Sequence, residues 1–283
     1  MRILLLFLLL FTLARDVPAP PRIATPALWV VRDADTTIYL FGTVHMLPAK
    51  LDWLHGPVRQ AFGRSDTLVT ELVLPPDAEL QALIRRLGGS TTPLPTRIGP
   101  AETARLARAL ASIGLDAHLL DRDEPWLAGM KLSVLPLQRL GYSDTAGPET
   151  VLAAAGKPHF GLETAEDQFG AFDRLSERSQ RRLLANAVTA VPDAGHAMEA
   201  TIDAWARGDM AALARIADDE TAGDAELETA LVHTRNARWA DWITQRMRRP
   251  GILFVAVGAG HLAGRDSLQA ALAARGLRAE RLQ

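Results

Sequence analysis

One local pattern occurs twice in this chain, near its two ends. Thr37-Ile38-Tyr39-Leu40-Phe41 runs into Gly42-Thr43-Val44-His45, and Ile252-Leu253-Phe254-Val255-Ala256-Val257 runs into Gly258-Ala259-Gly260-His261. Unbroken apolar runs of this length, rich in β-branched and aromatic residues, read as strands buried on both faces. The glycine that follows lets the backbone turn tightly and pass close to a neighbour. A histidine comes next each time, then a helix-like segment: Trp53 to Phe62 with Asp52 as its N-cap, and Asp266 to Arg275. Strands buried on both faces require helical layers on either side of a sheet. Two such strand ends, each carrying an imidazole, point to one shared site.

The remaining elements fill in a mixed α/β chain. Further strands are expected at Leu28 to Val31, Thr67 to Val73, Pro158 to Glu163 and Leu277 to Leu282. Helices are expected at Asp77 to Leu87, Ala101 to Ile113, Pro125 to Leu140, Pro148 to Ala155 and Thr164 to Leu175, with Gln168 able to look back toward the strand before it. Pro125 suits a first helical turn, and Pro136 should kink the same helix later on. Trp126, Met130 and Val134 are spaced as a packed face. Ser176 to Glu220 reads as helical with breaks at Pro192 and Gly208, and Glu226 to Arg248 as one long helix. The fold class is α/β: a mixed sheet flanked by helices. Residues 37–73 and 252–282 form two related strand–GxxH–helix–strand halves, with a helical segment between. Residues 28–283 then make a single domain in which 176–248 forms a helical cap.

The N-terminus is a separate matter. Arg2 followed by the apolar run Ile3 to Leu13, with Thr12-Leu13-Ala14 as a small-x-small site, reads as a signal peptide over 1–14. Residues 15–27, rich in Pro and Ala, read as a disordered lead-in. The mature protein would be periplasmic or secreted. The run could also stay uncleaved as an anchor, although it is short for a membrane span. With no cysteine, such a protein has no disulfides and is held by its core alone. Lys plus Arg number 31 against 33 Asp plus Glu, a balance that argues against a broad nucleic-acid surface.

Four candidate residues lie at or just past the C-terminal ends of expected strands: His45, Glu71, Glu163 and His261. That edge is where open α/β sheets build their sites. Alternation places Glu71 on a strand face with Val69 and Val73, where a carboxylate needs a partner. Two imidazoles with one or two carboxylates could hold a divalent metal and leave a position for water, whose pKa the metal would lower. A free carboxylate such as Glu163 could then act as general base. Arg235, on the long helix, is a candidate contact for a substrate carboxylate or oxyanion, or else a salt bridge on a helix face. There is no His-Glu-x-x-His, no Gly-x-Ser-x-Gly, no Walker loop and no dinucleotide fingerprint.

Taken together, several stretches resemble the TraB/PrgY/GumN family, which includes the Tiki-type metalloproteases. They are Leu40 to His45, Glu71 in its strand, Leu140-Gly141-Tyr142-Ser143-Asp144, Gly156-Lys157-Pro158, Gly161-Leu162-Glu163-Thr164, Arg235-Asn236 and Val257 to Gly264. The resemblance implies a fold similar to erythromycin esterases and ChaN-like haem-associated proteins. It also implies a metal-dependent peptidase using manganese, cobalt or zinc, with His45, Glu71, His261 and Glu163 as ligands and a peptide or protein as substrate. The same relatives imply two alternatives. One is a metal-independent esterase with His45 or His261 as general base. The other is a periplasmic protein that binds a peptide or haem without catalysis, for which Met46 beside His45 is the one feature that fits. Export is checked by N-terminal sequencing of the mature protein, which should start between about Arg15 and Pro20. An intact Met1 on a soluble cytoplasmic protein would contradict it.

Overall fold

A computed structural model describes residues 22–48, 51–221 and 223–283. The expected signal peptide lies outside the described residues. The strands are β1 (Arg22–Ile23), β2 (Leu28–Arg32), β3 (Thr36–Thr43), β4 (Leu51–Asp52), β5 (Thr67–Leu72), β6 (His159–Glu163), β7 (Gly251–Gly258) and β8 (Glu280–Arg281). Six of them form one mixed sheet in the order β6-β5-β7-β3-β2-β8. The first four in that order, β6, β5, β7 and β3, are parallel neighbours, while β2 is antiparallel to both β3 and β8. The fold is therefore α/β, a mixed sheet flanked by helices.

Burial follows the pleat. On β3 the side chains of Tyr39 and Phe41 enter one core with Phe254 and Ala256 of β7. Ile38 and Leu40 enter a second core on the other face with Leu253, Val255 and Val257. Both faces are covered, which explains why these two strands read as unbroken apolar runs. The first face is closed by α1 (Gly56–Arg64), α9 (Ala194–Ala206) and α10 (Met210–Thr221). There Phe41 stacks on Trp53 at 5.6 Å, with Trp205 and Phe254 around it. Burying one such ring contributes about 1.5–3 kcal/mol. The second face is closed by α12 (Thr234–Arg246) and α13 (Leu268–Ala273). A third, purely helical core gathers α3 (Leu94–Ile98), α4 (Pro100–Ser112), α5 (Pro125–Arg139) and α8 (Glu177–Ala190). The other helices are α2 (Asp77–Gly88), α6 (Pro148–Ala153), α7 (Ala165–Asp173) and α11 (Ala225–Glu228). Among the described residues no helix is long and apolar enough to cross a membrane.

The two halves run as mirrored crossovers. The chain leaves β3, passes α1 and returns in β5, on the far side of β7. It leaves β7, passes α13 and returns in β8, on the far side of β3 and β2. Helices α1 and α13 lie on opposite faces, as opposite directions of crossover demand when both keep the usual hand. The halves differ because β2 stands between β3 and β8.

Several local expectations are corrected. Asp52 does not cap α1; it pairs in β4 with Ile23, and the helix starts at Gly56 without a side-chain cap. Residues 22–27 of the expected lead-in are ordered: Arg22 and Ile23 pair with β4, and Ala24 is fully buried. Val134 is exposed, so the packed face of α5 runs instead through Trp126, Leu127, Ala128 and Leu132. The last strand shrinks to Glu280–Arg281. The expected long helix from Glu226 contains a π-helical turn at Thr229–His233, just ahead of Arg235. Such a turn inserts an extra residue and re-aims the face that follows.

The register Gly42↔Val257 and Thr43↔Gly258 places the two Gly-x-x-His turns side by side. A Cβ on Gly42 would lie 3.1 Å from Ala259 Cα, so any larger residue would crowd the facing turn. Trp205 Nε1 donates to the Gly42 carbonyl at 2.7 Å and holds the strand end from the other side. Gly42→Ala should cost about 1–3 kcal/mol by overpacking. Urea unfolding should show this as a lower midpoint with unchanged slope; an unchanged midpoint would mean that the two turns can separate freely.

Candidate active site

Gly258 marks the centre. A Cβ added there would lie 3.0 Å from Glu71 Oε1, 3.7 Å from His261 Cδ2 and 4.0 Å from His45 Nε2. The two imidazoles and Glu71 therefore share one small volume at the C-terminal edge of the parallel strands. Glu163 lies beside Glu71, because β5 and β6 are paired with Leu72 opposite Glu163.

Arg235 lies at the heart of the cluster rather than at its rim. Its Nη2 donates to Glu71 Oε2 at 2.5 Å and also to Glu163 Oε1. Nε reaches the same Glu163 oxygen at 2.9 Å, and Nη1 lies 3.1 Å from His261 Nε2. The guanidinium also lies 4.7 Å from the Trp239 ring one turn further on. Each of its nitrogens is thus committed to protein groups. The residue is buried within the cluster, and Arg238 beside it, half-exposed, touches Glu163 Oε2 at 3.0 Å.

The tautomer of His261 follows from Asn236. The Asn236 amide nitrogen donates to the carbonyls of His261 and Asp266, so its oxygen faces His261 and accepts the Nδ1–H at 2.9 Å. Nε2 is left as an acceptor for Arg235. Burial pushes this imidazole down to about 4, partly offset by Glu71, so it is neutral at pH 7. Its ring also packs on Trp239 at 4.4 Å. His45 is the opposite case. Its side chain is 68% exposed, and Nδ1 is held 2.8 Å from Glu149 Oε1, which also accepts from the Thr43 hydroxyl. The Glu149 hydrogen bond outweighs partial desolvation, and with the charges of Glu149 and Glu71 it raises His45 to about 9. Burial pushes Glu71 up, but His261, Arg235, His45 and the Gly258 N–H together hold it down at about 2. Burial raises Glu163 in spite of Arg235 and Arg238.

Glu149 escaped the sequence reading. It sits in the first turn of α6, far from both glycine motifs in the chain. Gly147 brings it close: a Cβ there would overlap the His45 carbonyl oxygen. Asn236 stood in a recognised stretch but had no role, and Trp239 was given none. Gln168 finds no hydrogen-bond partner for its buried Oε1 among the described residues. Met46 is buried.

The donor set fits a metal ion poorly as arranged. Among the described residues, no three His, Cys, Asp or Glu side chains are grouped to hold one. Glu71 already accepts from Gly258 at 2.6 Å and from Arg235, and His261 Nε2 faces the guanidinium. A dication at this point would meet a fixed positive charge.

Sheet, edge and cluster define an α/β protein with a His/Glu/Arg centre at the carboxyl ends of its parallel strands. The chain belongs to the TraB/PrgY/gumN family, whose model matches residues 27–281. No curated protein and no solved structure matches it.

Removing Arg235 should leave Glu71 with only the Gly258 N–H and Glu163 with only Arg238 as hydrogen-bond donors among those described. Arg235→Met should cost about 3–5 kcal/mol at pH 7. In the native protein the lowered pKa of Glu71 contributes stability that is full above about 4.5 and lost as pH falls through about 2. The variant should lose the Arg235 share of that acid-sensitive part and keep the shares of His261, His45 and the Gly258 N–H. Urea unfolding at several pH values checks this, and equal losses at pH 7 and pH 3 would overturn the assignment.

Proposed function

We propose that this chain is an exported hydrolase that cleaves a peptide or ester carbonyl, with His45 as its proton-transfer group. The observation that carries this reading is the His45–Glu149 pair. A carboxylate fixes Nδ1–H, while Nε2 stays accessible and turns toward the Glu71/His261 wall. In its neutral form Nε2 takes a proton from the attacking water and then returns it to the departing nitrogen or oxygen. Glu149 orients the ring and stabilises the imidazolium between those two steps. Glu71 and Arg235 supply a fixed field around the reacting carbonyl, and Arg238 retains donors for an oxyanion. Export rests on Arg2 and the Ile3–Leu13 run, together with the small-x-small site.

A metal-dependent version of the same hydrolysis is the second reading. One observation favours it: both imidazoles have Nδ1 held by an acceptor beside Glu71, which is how ligand histidines are oriented. It requires His45 to be deprotonated and Arg235 to leave His261. Manganese, cobalt or zinc would then be held by His45, His261 and Glu71.

The pH dependence separates the readings. With His45 as base, kcat/KM on a p-nitrophenyl ester or fluorescein-casein should rise with pH and level off above about 9. Glu149→Gln should shift that limb down toward the ordinary histidine value of about 6.5. His45→Ala should lose about 10²–10⁴-fold. A limb that stays in place in Glu149→Gln would remove His45 from this role. Elemental analysis of untagged protein decides the metal question: one ion per chain, with activity lost to a chelator, selects the second reading.

A further inference from the structure

The two edges of the main sheet are unlike. Strand β8 is two residues long, and both are charged, which is how edges are usually protected from pairing. Strand β6 has five residues and carries no charge until Glu163. Phe160 on it is 58% exposed. Leu68 N–H donates to the Pro158 carbonyl. In a parallel ladder that phase turns the N–H and C=O groups of His159 and Gly161 away from β5, toward the open side.

At the C-terminal end of β6 lies a cleft of about 830 Å³, bounded by Gly161 to Asp167, by Val73 and Pro75 after β5, and by α2. Val73, Ala82 and Leu83 give it an apolar wall. Its lining carries Glu79, Glu166 and Asp167 with Arg86 as its one basic residue; Arg86 is paired with Glu166, and Arg238 and Arg174 lie near Asp167. Glu79 makes no ion pair among the described residues. At the end of the cleft lies Glu163, a member of the central cluster.

We propose that the outer edge of β6 is a docking strand for an extended basic peptide, which adds to the sheet and runs toward Glu163. Main-chain hydrogen bonds to His159 and Gly161 would hold the peptide, and alternate side chains would face the α2 wall. Lysine or arginine at those positions would meet Glu79 and Glu166. The proposal rests on the hydrolase reading only in naming this peptide as the substrate; docking itself requires no catalysis.

The test uses the full chain carrying His45→Ala, so that bound peptide persists. The probe is a fluorescein-labelled octapeptide of alternating lysine and valine, followed by anisotropy. Two further versions carry N-methyl groups on either the lysine or the valine amides. One methylated isomer should bind at least about tenfold more weakly while the other resembles the parent, because only alternate amides face the edge. A glutamate–valine octapeptide should bind at least about tenfold more weakly. Adding Glu79→Lys, with its circular dichroism spectrum checked against the parent, should weaken the lysine–valine probe. Equal binding by both methylated isomers, equal binding of the acidic peptide, no effect of Glu79→Lys, or no saturable binding would each overturn the proposal. None of these outcomes touches the pH limb on a small ester, so failure of docking and failure of the hydrolase reading are distinguishable.

Discussion

A guanidinium enclosed between two buried carboxylates is the interaction on which this site depends. Desolvating three charges is costly, and their attraction repays it only when geometry is good and the remaining donors are filled. Arg235 meets that condition: Glu71, Glu163, His261 and the Leu231 carbonyl between them take all three of its nitrogens. The consequence is mechanical as well as electrostatic. Arg235 arrives on α12, Glu71 on β5, Glu163 on β6 and His261 just after β7, so one side chain ties four elements together at the sheet edge. The π-helical turn at Thr229–His233 comes immediately before it and sets which way α12 presents that side chain.

The second constraint is the pairing of β3 with β7. Eight residue pairs run in register from Thr36↔Gly251 to Thr43↔Gly258. Parallel neighbours bring equivalent strand ends to the same edge, so a motif at each end must meet its copy. Segments from opposite ends of the chain are thereby adjacent at the centre of the sheet. The helical segments in between contribute from above: α6 supplies Glu149, and α10 packs Ala217 over Gly260 and Ala214 over Gly264.

Much of this was legible because buried parallel strands leave a strong trace. The apolar runs at Thr37 to Phe41 and Ile252 to Val257, their glycines and their histidines mark the core and its edge together. Glu71 was legible for a related reason: it is a carboxylate on an apolar face. The partners were harder. Glu149 precedes no periodic signal of its own and matters only because Gly147 lets α6 touch the His45 backbone. Arg235 read as a substrate contact or else a salt bridge on a helix face, and its place between two carboxylates was hidden because a long helix read without its π turn presents a different face. The lead-in at 22–27 was misread because its order comes from pairing with β4 and from packing of Ala24, contacts that composition does not announce.

The repeated motif does not make a symmetric site. Both histidines follow a strand and a glycine, and both donate Nδ1–H, yet their acceptors differ in charge. Glu149 is an anion, so it favours the imidazolium of His45, and the open side of that ring lets water carry a proton to and from Nε2. Asn236 is a neutral amide, so it fixes the tautomer of His261 without rewarding a charge. Arg235 at 3.1 Å then opposes protonation outright. Opposite pKa displacements from one local pattern are the means by which a site assigns roles to like residues. His45 is left as an exposed imidazole that favours its charged form, and His261 as a neutral acceptor that helps seat the guanidinium. An ion would need both rings neutral and both Nε2 atoms free. Its binding would therefore release a proton from His45 and displace Arg235 from His261, so metal uptake would oppose the charge pattern that the duplicated motif has built.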